Sequence, residues 1–423
     1  MTLGGLSGPR PGDPTRRLTV LVNAGPWVSV PPPGYGGIET VVATLVPELR
    51  NLGVRVLLAT VGTSTLEADG YVRTLAEGQL PRIAAPYNQV SGIAHAHMAG
   101  VVRALRTDPS IDIVHDHLEV VGPAVLAAMG AGAPPVLQTL HWDLGKHAEF
   151  YSTFDGGGRV FFAGVSQSQI DRAPAALRLQ TIGAVPLAVP AALPVDVARG
   201  SYALVLARVT RDKGQDIAAR VAHLSGHPVV LAGPVAGIGD PAELAARLAD
   251  PSDPVQAHPD AAYWRDEVAP LVDGDLVRWV GGVSGLEKER WLQGARVLFT
   301  PIRWAEPGAT SVVEALGRGV PVVGTPLGVL PSLVREGVTG FLASSEADLA
   351  RALGRVDLLD PAAYRESVAA WTPAAMAERY VELYHRVLEL AAVRDLRDST
   401  PRTGGLASSV ASRDYPRARR ATT

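Results

Sequence analysis

Only three of the 39 lysine and arginine residues in this chain are lysines (Lys146, Lys213 and Lys288), and it has no cysteine at all. The missing thiols exclude disulfides, thiolate metal sites and a cysteine nucleophile together. No apolar stretch approaches the length of a membrane span, since prolines and charges interrupt every candidate. A net charge of -3 supplies no chain-wide positive field, so neither nucleic acid nor anionic lipid is expected as a partner. Arg16 and Arg17 do precede an apolar run as an export signal would, but Trp27 and a proline triplet follow without a small-residue cleavage pattern. The expectation is a flexible leader over 1–16, a first strand after it, and a cytoplasmic protein with no transmembrane segment.

What remains is aliphatic: 423 residues, 47% hydrophobic and 5% aromatic, enough for two large cores. From Leu18 onward, apolar runs such as LTVLVNAG, VRVLLATVG, IDIVHDH and PPVLQTLHW are separated by segments of helical period. Strands without alternation, each followed by a periodic helix, predict a parallel sheet covered on both faces, the doubly wound α/β class. Proline density rises and periodicity vanishes over Val185 to Ser201, which marks a linker. The alternation resumes through YALVLARV, HPVVLAGPV, DLVRWVGGV and VPVVGT, predicting a second doubly wound domain. The expected domains are 17–190 and 191–372, with a ligand between them at the carboxyl ends of the strands. An amphipathic helix over 373–393 and a disordered tail over 394–423 complete the chain.

The stretch EPGATSVVE, Glu306 to Glu314, brackets a short helix start with two carboxylates. Glu306 belongs to a loop leaving a strand, Thr310 and Ser311 can begin the helix, Gly319 can end it, and Glu314 falls one turn in. Exposed amides near Gly308, Ala309 and Thr310 then carry the partial positive charge of a helix start, a seat for phosphate oxygens. A nucleotide sugar fits, with phosphates on the amides and a carboxylate on either side for vicinal hydroxyls. From spacing alone, the pair reads equally well as a turn residue and a solvated surface residue. A nicotinamide dehydrogenase would share the strand pattern, but no Gly-x-Gly-x-x-Gly follows the first strand of either half. His95, His97, His115 and His117 are the candidates for a zinc site, yet no acidic partner has telling spacing, and no metal is expected.

The segment EPGATSVVEALGRGVPVVGTPLGVLPSLVREGVTGFL resembles the C-terminal signature of the family-4 retaining glycosyltransferases, with its two spaced glutamates. GYGGIETVVATLVPELRNLGVRV is similar to that family's N-terminal glycine loop and first helix, and DIVHDH to its histidine-bearing strand end. LARVTRDKGQD is similar to its Arg and Lys phosphate clamp, and VRWVGGVSGLEKERWLQGARVLFTP to its nucleotide-base segment. These motifs cover most of Leu18 to Leu342 in the family's order. The combination of PPPGYGGIE, VHDH, LAGP and EPGAT also resembles a subgroup from antibiotic biosynthesis. One departure is that Pro307 and Gly308 follow the first glutamate where the family usually has an aromatic residue and glycine, and proline removes an amide donor.

The resemblance implies the GT-B fold: two Rossmann-like doubly wound domains facing across a cleft, an acceptor domain first, a donor domain second, and the C-terminal helix packed back on the first. It implies a metal-independent enzyme that moves a hexose or pentose from a UDP- or GDP-sugar, a co-substrate rather than a cofactor, to a hydroxyl of a small-molecule or glycan acceptor. Retention needs no enzyme nucleophile if a donor phosphate oxygen accepts the hydroxyl proton and the enzyme supplies positioning and charge stabilisation. His117 would lie beside the transferred sugar, and Arg208 and Lys213 would converge on the diphosphate. Glu306 would hold donor-sugar hydroxyls and Glu314 the ribose. Gly36, Gly37, Val283, Pro307, Gly308, Ala309 and Thr310 would line the rest of the donor. Trp27, Tyr35, Glu39, His141 and Trp142 are the acceptor-side candidates, each with a structural alternative in packing or helix capping. An epimerase or phosphorylase on the same architecture, and a non-catalytic nucleotide-sugar binder, are the competing readings.

Overall fold

The computed structural model describes residues 16–399 apart from Tyr35, Ala84 and Ala85. Its first half is a parallel sheet of β1 (Thr19–Asn23), β2 (Arg55–Thr60), β3 (Gly70–Arg73), β4 (Ile113–Asp116), β5 (Val136–Leu140), β6 (Val160–Gly164) and β7 (Thr181–Ala184), in the spatial order β3-β2-β1-β4-β5-β6-β7. The second half holds β8 (Ala203–Leu206), β9 (Val229–Ala232), β10 (Val277–Trp279), β11 (Val297–Thr300), β12 (Val322–Gly324) and β13 (Gly340–Leu342), in the order β10-β9-β8-β11-β12-β13. All recorded pairings within the two sheets are parallel. Helices cover both faces, so every residue of β1, β4, β5 and β9 is buried, and this is why those strands show no apolar–polar alternation.

Each half starts in the middle of its sheet, winds to one edge, and then returns past its first strand to build the other side. The reversal falls between β1 and β4 in the first half and between β8 and β11 in the second. There the connecting loops leave in opposite directions and open a crevice at the carboxyl ends of the strands. Residues 185–202 have no regular structure and run along the second half, where the Arg318 guanidinium donates to the Pro190 carbonyl at 3.3 Å and the Gln293 amide to Leu193 at 2.8 Å.

The C-terminal helix Pro373–Ser399 crosses back to the first half. Met376, Ala377, Tyr380, Tyr384 and Val387 share one core with Val41, Val42, Leu45 and Leu49 of helix Gly37–Asn51. The helix runs past the end expected at 393, so residues 394–399 are helical rather than part of a disordered tail. An Asp395–Arg159 ion pair at 2.6 Å and contact of Arg394 with Gly158 hold this last stretch. Arg16, expected in the leader, is likewise anchored, by an ion pair to Asp112. Residues 1–15 of the leader and 400–423 of the tail lie outside the described residues. Among the described residues, no helix is long and apolar enough to cross a membrane.

Candidate active site

Most of the sequence's candidate residues lie at the two reversal points. Gly36 and Gly37 end the loop after β1, His117 follows β4, Arg208 and Lys213 follow β8, and Glu306 follows β11. The two halves meet at this place. Ser168 Oγ donates to the Gly328 carbonyl at 2.8 Å, and the Arg172 guanidinium to the Ala305 carbonyl at 3.2 Å. Gly328 has φ of 61° and packs so tightly on Glu306 that an added Cβ would lie 2.3 Å from that residue's backbone N and O. Residues of the first half thus hold the loop that carries Glu306.

In the second half, Lys213 closes a tight turn before Gly214, whose φ is 71° and whose added Cβ would sit 2.0 Å from the Pro301 carbonyl oxygen. That close approach sets the turn against the end of β11, so the Lys213 ammonium pairs with the Glu306 carboxylate, 4.9 Å from the Trp304 ring centroid. Glu314, in helix Thr310–Gly317, is paired in the same way with Lys288 at 3.0 Å. Arg208 is exposed and within electrostatic reach of Asp260, and its carbonyl accepts from the Gln215 amide at 2.8 Å. Val283 is half-buried in the segment between β10 and helix Gly285–Gly294, against the second core.

The helix between the two glutamates begins at Thr310 as expected, but its cap and its exposure differ from expectation. Neither Thr310 nor Ser311 caps it; Ala309 does, in the left-handed region at φ 48° and ψ 51°, without a side-chain bond. Pro307, Gly308 and Ala309 are buried rather than exposed, because Gly308 packs under Leu187 and Val165. A non-glycine residue in this region stores about 1 kcal/mol of strain. Among the described residues the amides of Gly308, Ala309, Thr310 and Ser311 have no hydrogen-bond acceptor, and Pro307 has no amide hydrogen to add.

In the first half, His117 Nδ1 lies 2.8 Å from His141 Nε2, while its own Nε2 is buried without a partner. Burial, with His115 and His141 beside it, holds His117 well below the usual imidazole range, and burial pulls His141 down to about 3. Both are therefore neutral near pH 7 and can offer or accept a hydrogen bond but not a positive charge. The His115 ring is tilted against that of His117, 4.1 Å between centroids, and is fixed by Tyr384 at 2.7 Å and Thr139 at 2.8 Å. The four histidines considered for zinc do not converge: His97 bonds Thr74 and Asn23, His95 is exposed, and among the described residues no group of three His, Asp or Glu side chains could hold a metal.

Glu39 is buried and turned back toward Gly36, and its carboxyl is pushed up to about 7 by that burial. Gly36 packs on Pro32 as well as Glu39, so its close approach is to its own loop, whereas an added Cβ on Gly37 would meet open space. Trp27 packs against the first-half core. Trp142 is half-buried, with Lys146 Nζ 5.2 Å from its ring centroid and its Nε1 buried without a partner. Tyr35 lies outside the described residues. Sequence reasoning missed Lys288 and Trp304. The scarcity of lysine that drew attention to Lys213 applies equally to Lys288 and would have found it.

Two family models match parts of this chain, one in each half. The Glycosyltransferase Family 4 model matches residues 35–175, and the model described as Glycosyl transferases group 1 matches residues 257–357. The crystal structure of AviGT4, a glycosyltransferase involved in avilamycin A biosynthesis, is 26% identical with a TM-score of 0.58 over 88% of this chain and 98% of that one. Two further structures share the fold, each covering 88% of this chain and 100% of the other: sucrose-phosphate synthase from Thermosynechococcus elongatus (19% identity, TM-score 0.64) and Anabaena HepE with UDP and glucose (15%, 0.61). A D-inositol 3-phosphate glycosyltransferase of Streptomyces griseus is 39% identical over 83 residues, a match spanning 19% of this chain and 17% of that relative. The chain thus has the GT-B fold, and it carries a region similar to the Glycosyltransferase Family 4 model in its first half and one similar to the Glycosyl transferases group 1 model in its second, in the order in which the two sheets follow one another.

Proposed function

We propose that this chain is a retaining, metal-independent glycosyltransferase that moves a hexose or pentose from a UDP- or GDP-sugar to a hydroxyl of a small-molecule or glycan acceptor, in the cytoplasm and in the service of natural-product biosynthesis. The observation that carries the reading is the helix start between Glu306 and Glu314. Four amides without acceptors lie between two carboxylates, each held by a lysine. A diphosphate seated on those amides would place a sugar toward Glu306 and a ribose toward Glu314. Its second phosphate would displace Lys213 from Glu306 and take that ammonium as its own partner, with Arg208 closing from the strand end.

The chemistry then follows from charge. As the glycosidic bond lengthens, negative charge grows on the phosphate and positive charge on the sugar ring. Lys213 and the helix amides stabilise the first, and the freed Glu306 carboxylate stabilises the second and fixes the sugar through its hydroxyls. The acceptor hydroxyl attacks on the face the phosphate leaves, and a phosphate oxygen takes its proton, which is how configuration is retained. His117, neutral and with an unpaired Nε2, contacts a sugar hydroxyl and does not act as the base. Likeness to AviGT4 supports the natural-product assignment, and the UDP and glucose bound to HepE make UDP-glucose the first donor to try.

The experiment is a thermal-shift screen against nucleoside diphosphates and their sugars, followed by product analysis with the best donor. The expected result is stabilisation by one base family, release of the diphosphate only with an acceptor, an axial product from an axial donor, and full activity in a chelator. Conversion of the donor without an acceptor would make the chain an epimerase, and a requirement for free phosphate would make it a phosphorylase. No stabilisation by any nucleotide would end the reading.

A further inference from the structure

We infer that Glu119, flanked by His147 and Lys146, is the carboxylate of an acceptor subsite that takes a polyhydroxylated ring, a carbohydrate or cyclitol, beside Trp142; the inference rests on the glycosyltransferase reading above. The first observation is where the lysines went. In a chain that uses arginine almost everywhere, Lys213 pairs with Glu306 and Lys288 with Glu314. The third, Lys146, lies near Glu119, whose carboxyl is raised by burial against the opposing pull of His147 and Lys146, and its ammonium is 5.2 Å from the Trp142 ring centroid. A compact, mobile ammonium can yield its carboxylate to a substrate, whereas a bidentate guanidinium holds on.

The second observation is geometric. Glu119 leaves β4, while Trp142, Lys146 and His147 leave the neighbouring β5, and the bond between His117 and His141 ties the same two strand ends together. His147 Nε2 is 3.1 Å from Glu119 Oε1, and the two side chains are 35% and 24% exposed, so the pair is partly open to solvent although Oε1 itself is buried.

The third observation points to a ligand. Trp142 Nε1 and His117 Nε2 are buried with no hydrogen-bond partner. Buried polar atoms are nearly always paired, so unpaired ones at these two neighbouring strand ends, Glu119 Oε1 among them, mark a place something polar fills. Its chemistry is set by the groups: a carboxylate accepts from adjacent hydroxyls, an indole N–H donates to one, and the ring offers an apolar surface to the C–H face of a pyranose or cyclitol. A flat phenolic acceptor would cover Trp142 but offers Glu119 a single hydroxyl where a polyol offers adjacent ones.

The test is ligand-observed saturation-transfer NMR on the full chain, with and without UDP or GDP, using methyl α-glucoside and myo-inositol as probes and 4-nitrophenol as the planar contrast. The wild type is expected to give polyol signals stronger than the phenol's. Glu119→Gln should weaken polyol binding about tenfold, and Lys146→Arg should weaken it in the same direction because the guanidinium holds the carboxylate, while nucleotide signals from the other half show that both variants are folded. Polyol binding unchanged in Glu119→Gln, or a phenol that binds where the polyols do not, overturns the inference. Absence of nucleotide signals from the wild type would instead overturn the donor reading, and the polyol contrast is still read without nucleotide.

Discussion

Replacing Glu306 with glutamine should tighten the binding of a nucleoside diphosphate while it slows sugar transfer. The Lys213 ammonium is engaged by the Glu306 carboxylate, and the two side chains are only 21% and 15% exposed. A diphosphate that takes over Lys213 must do so with that carboxylate still nearby. One like-charge pair ~6 Å apart at an effective dielectric constant of about 50 costs about 1 kcal/mol, which corresponds to about a fivefold gain in affinity when the charge is removed. The glutamine keeps the shape but gives up a charge-assisted bond, and stability should fall by about 1 kcal/mol after allowance for partial exposure. Titration calorimetry with UDP and GDP at low and high salt reads the affinity, and the gain should shrink as salt screens it. Transfer measured on the same protein should drop because the positive sugar ring loses its counter-charge. Weaker diphosphate binding in the variant, or transfer at the wild-type rate, would refute the reasoning.

Glu314→Gln should lower UDP or GDP affinity by about tenfold and remove the preference for a ribonucleotide over its 2′,3′-dideoxy analogue; a preference that survives would take the ribose away from Glu314. Gly214→Ala forces a Cβ to within 2.0 Å of the Pro301 carbonyl at φ 71°, so it should cost roughly 2–3 kcal/mol and lower the melting temperature by several degrees, with the loss of Lys213 from its place seen as weakened nucleotide binding. Stability should also follow a bell in pH. Burial pushes Asp116 up to about 8 and Glu39 to about 7, and an acid whose folded value is raised binds more protons when folded, so each withdraws stability as pH climbs from about 4 through its folded value. His97, drawn down to about 4 by burial, and His115 and His141, down to about 3, are neutral when folded and withdraw stability as pH falls below about 6.5. The melting temperature should peak near pH ~6.5, and Asp116→Asn should raise it more at about pH 8.5 than at about pH 5.5; an equal change at both would remove Asp116 from the account.

The amino-acid sequence by itself determined the two sheets, the linker and the signature residues. Central strands such as TVLVN are apolar at nearly every position because both faces are covered, and that pattern survives without any knowledge of contacts. The edge strand GYVR went unread because it is half-exposed and brief, and the helix Tyr87–Thr107 because its glycines, alanines and histidines blur the apolar face. The motif around Glu306 and Glu314 was legible as residue types at fixed spacing. What those residues do to one another was decided by tertiary structure alone. Lys213 and Glu306 are 93 positions apart, Lys288 and Glu314 are 26 apart, and the burial of the Gly308 loop under Leu187 and Val165 joins the two halves. Local periodicity reports which face of an element is dry, because that is a property of neighbours in the chain. Pairing of charges and the state of a buried imidazole depend on which strand ends a parallel sheet places side by side, and no local pattern encodes that.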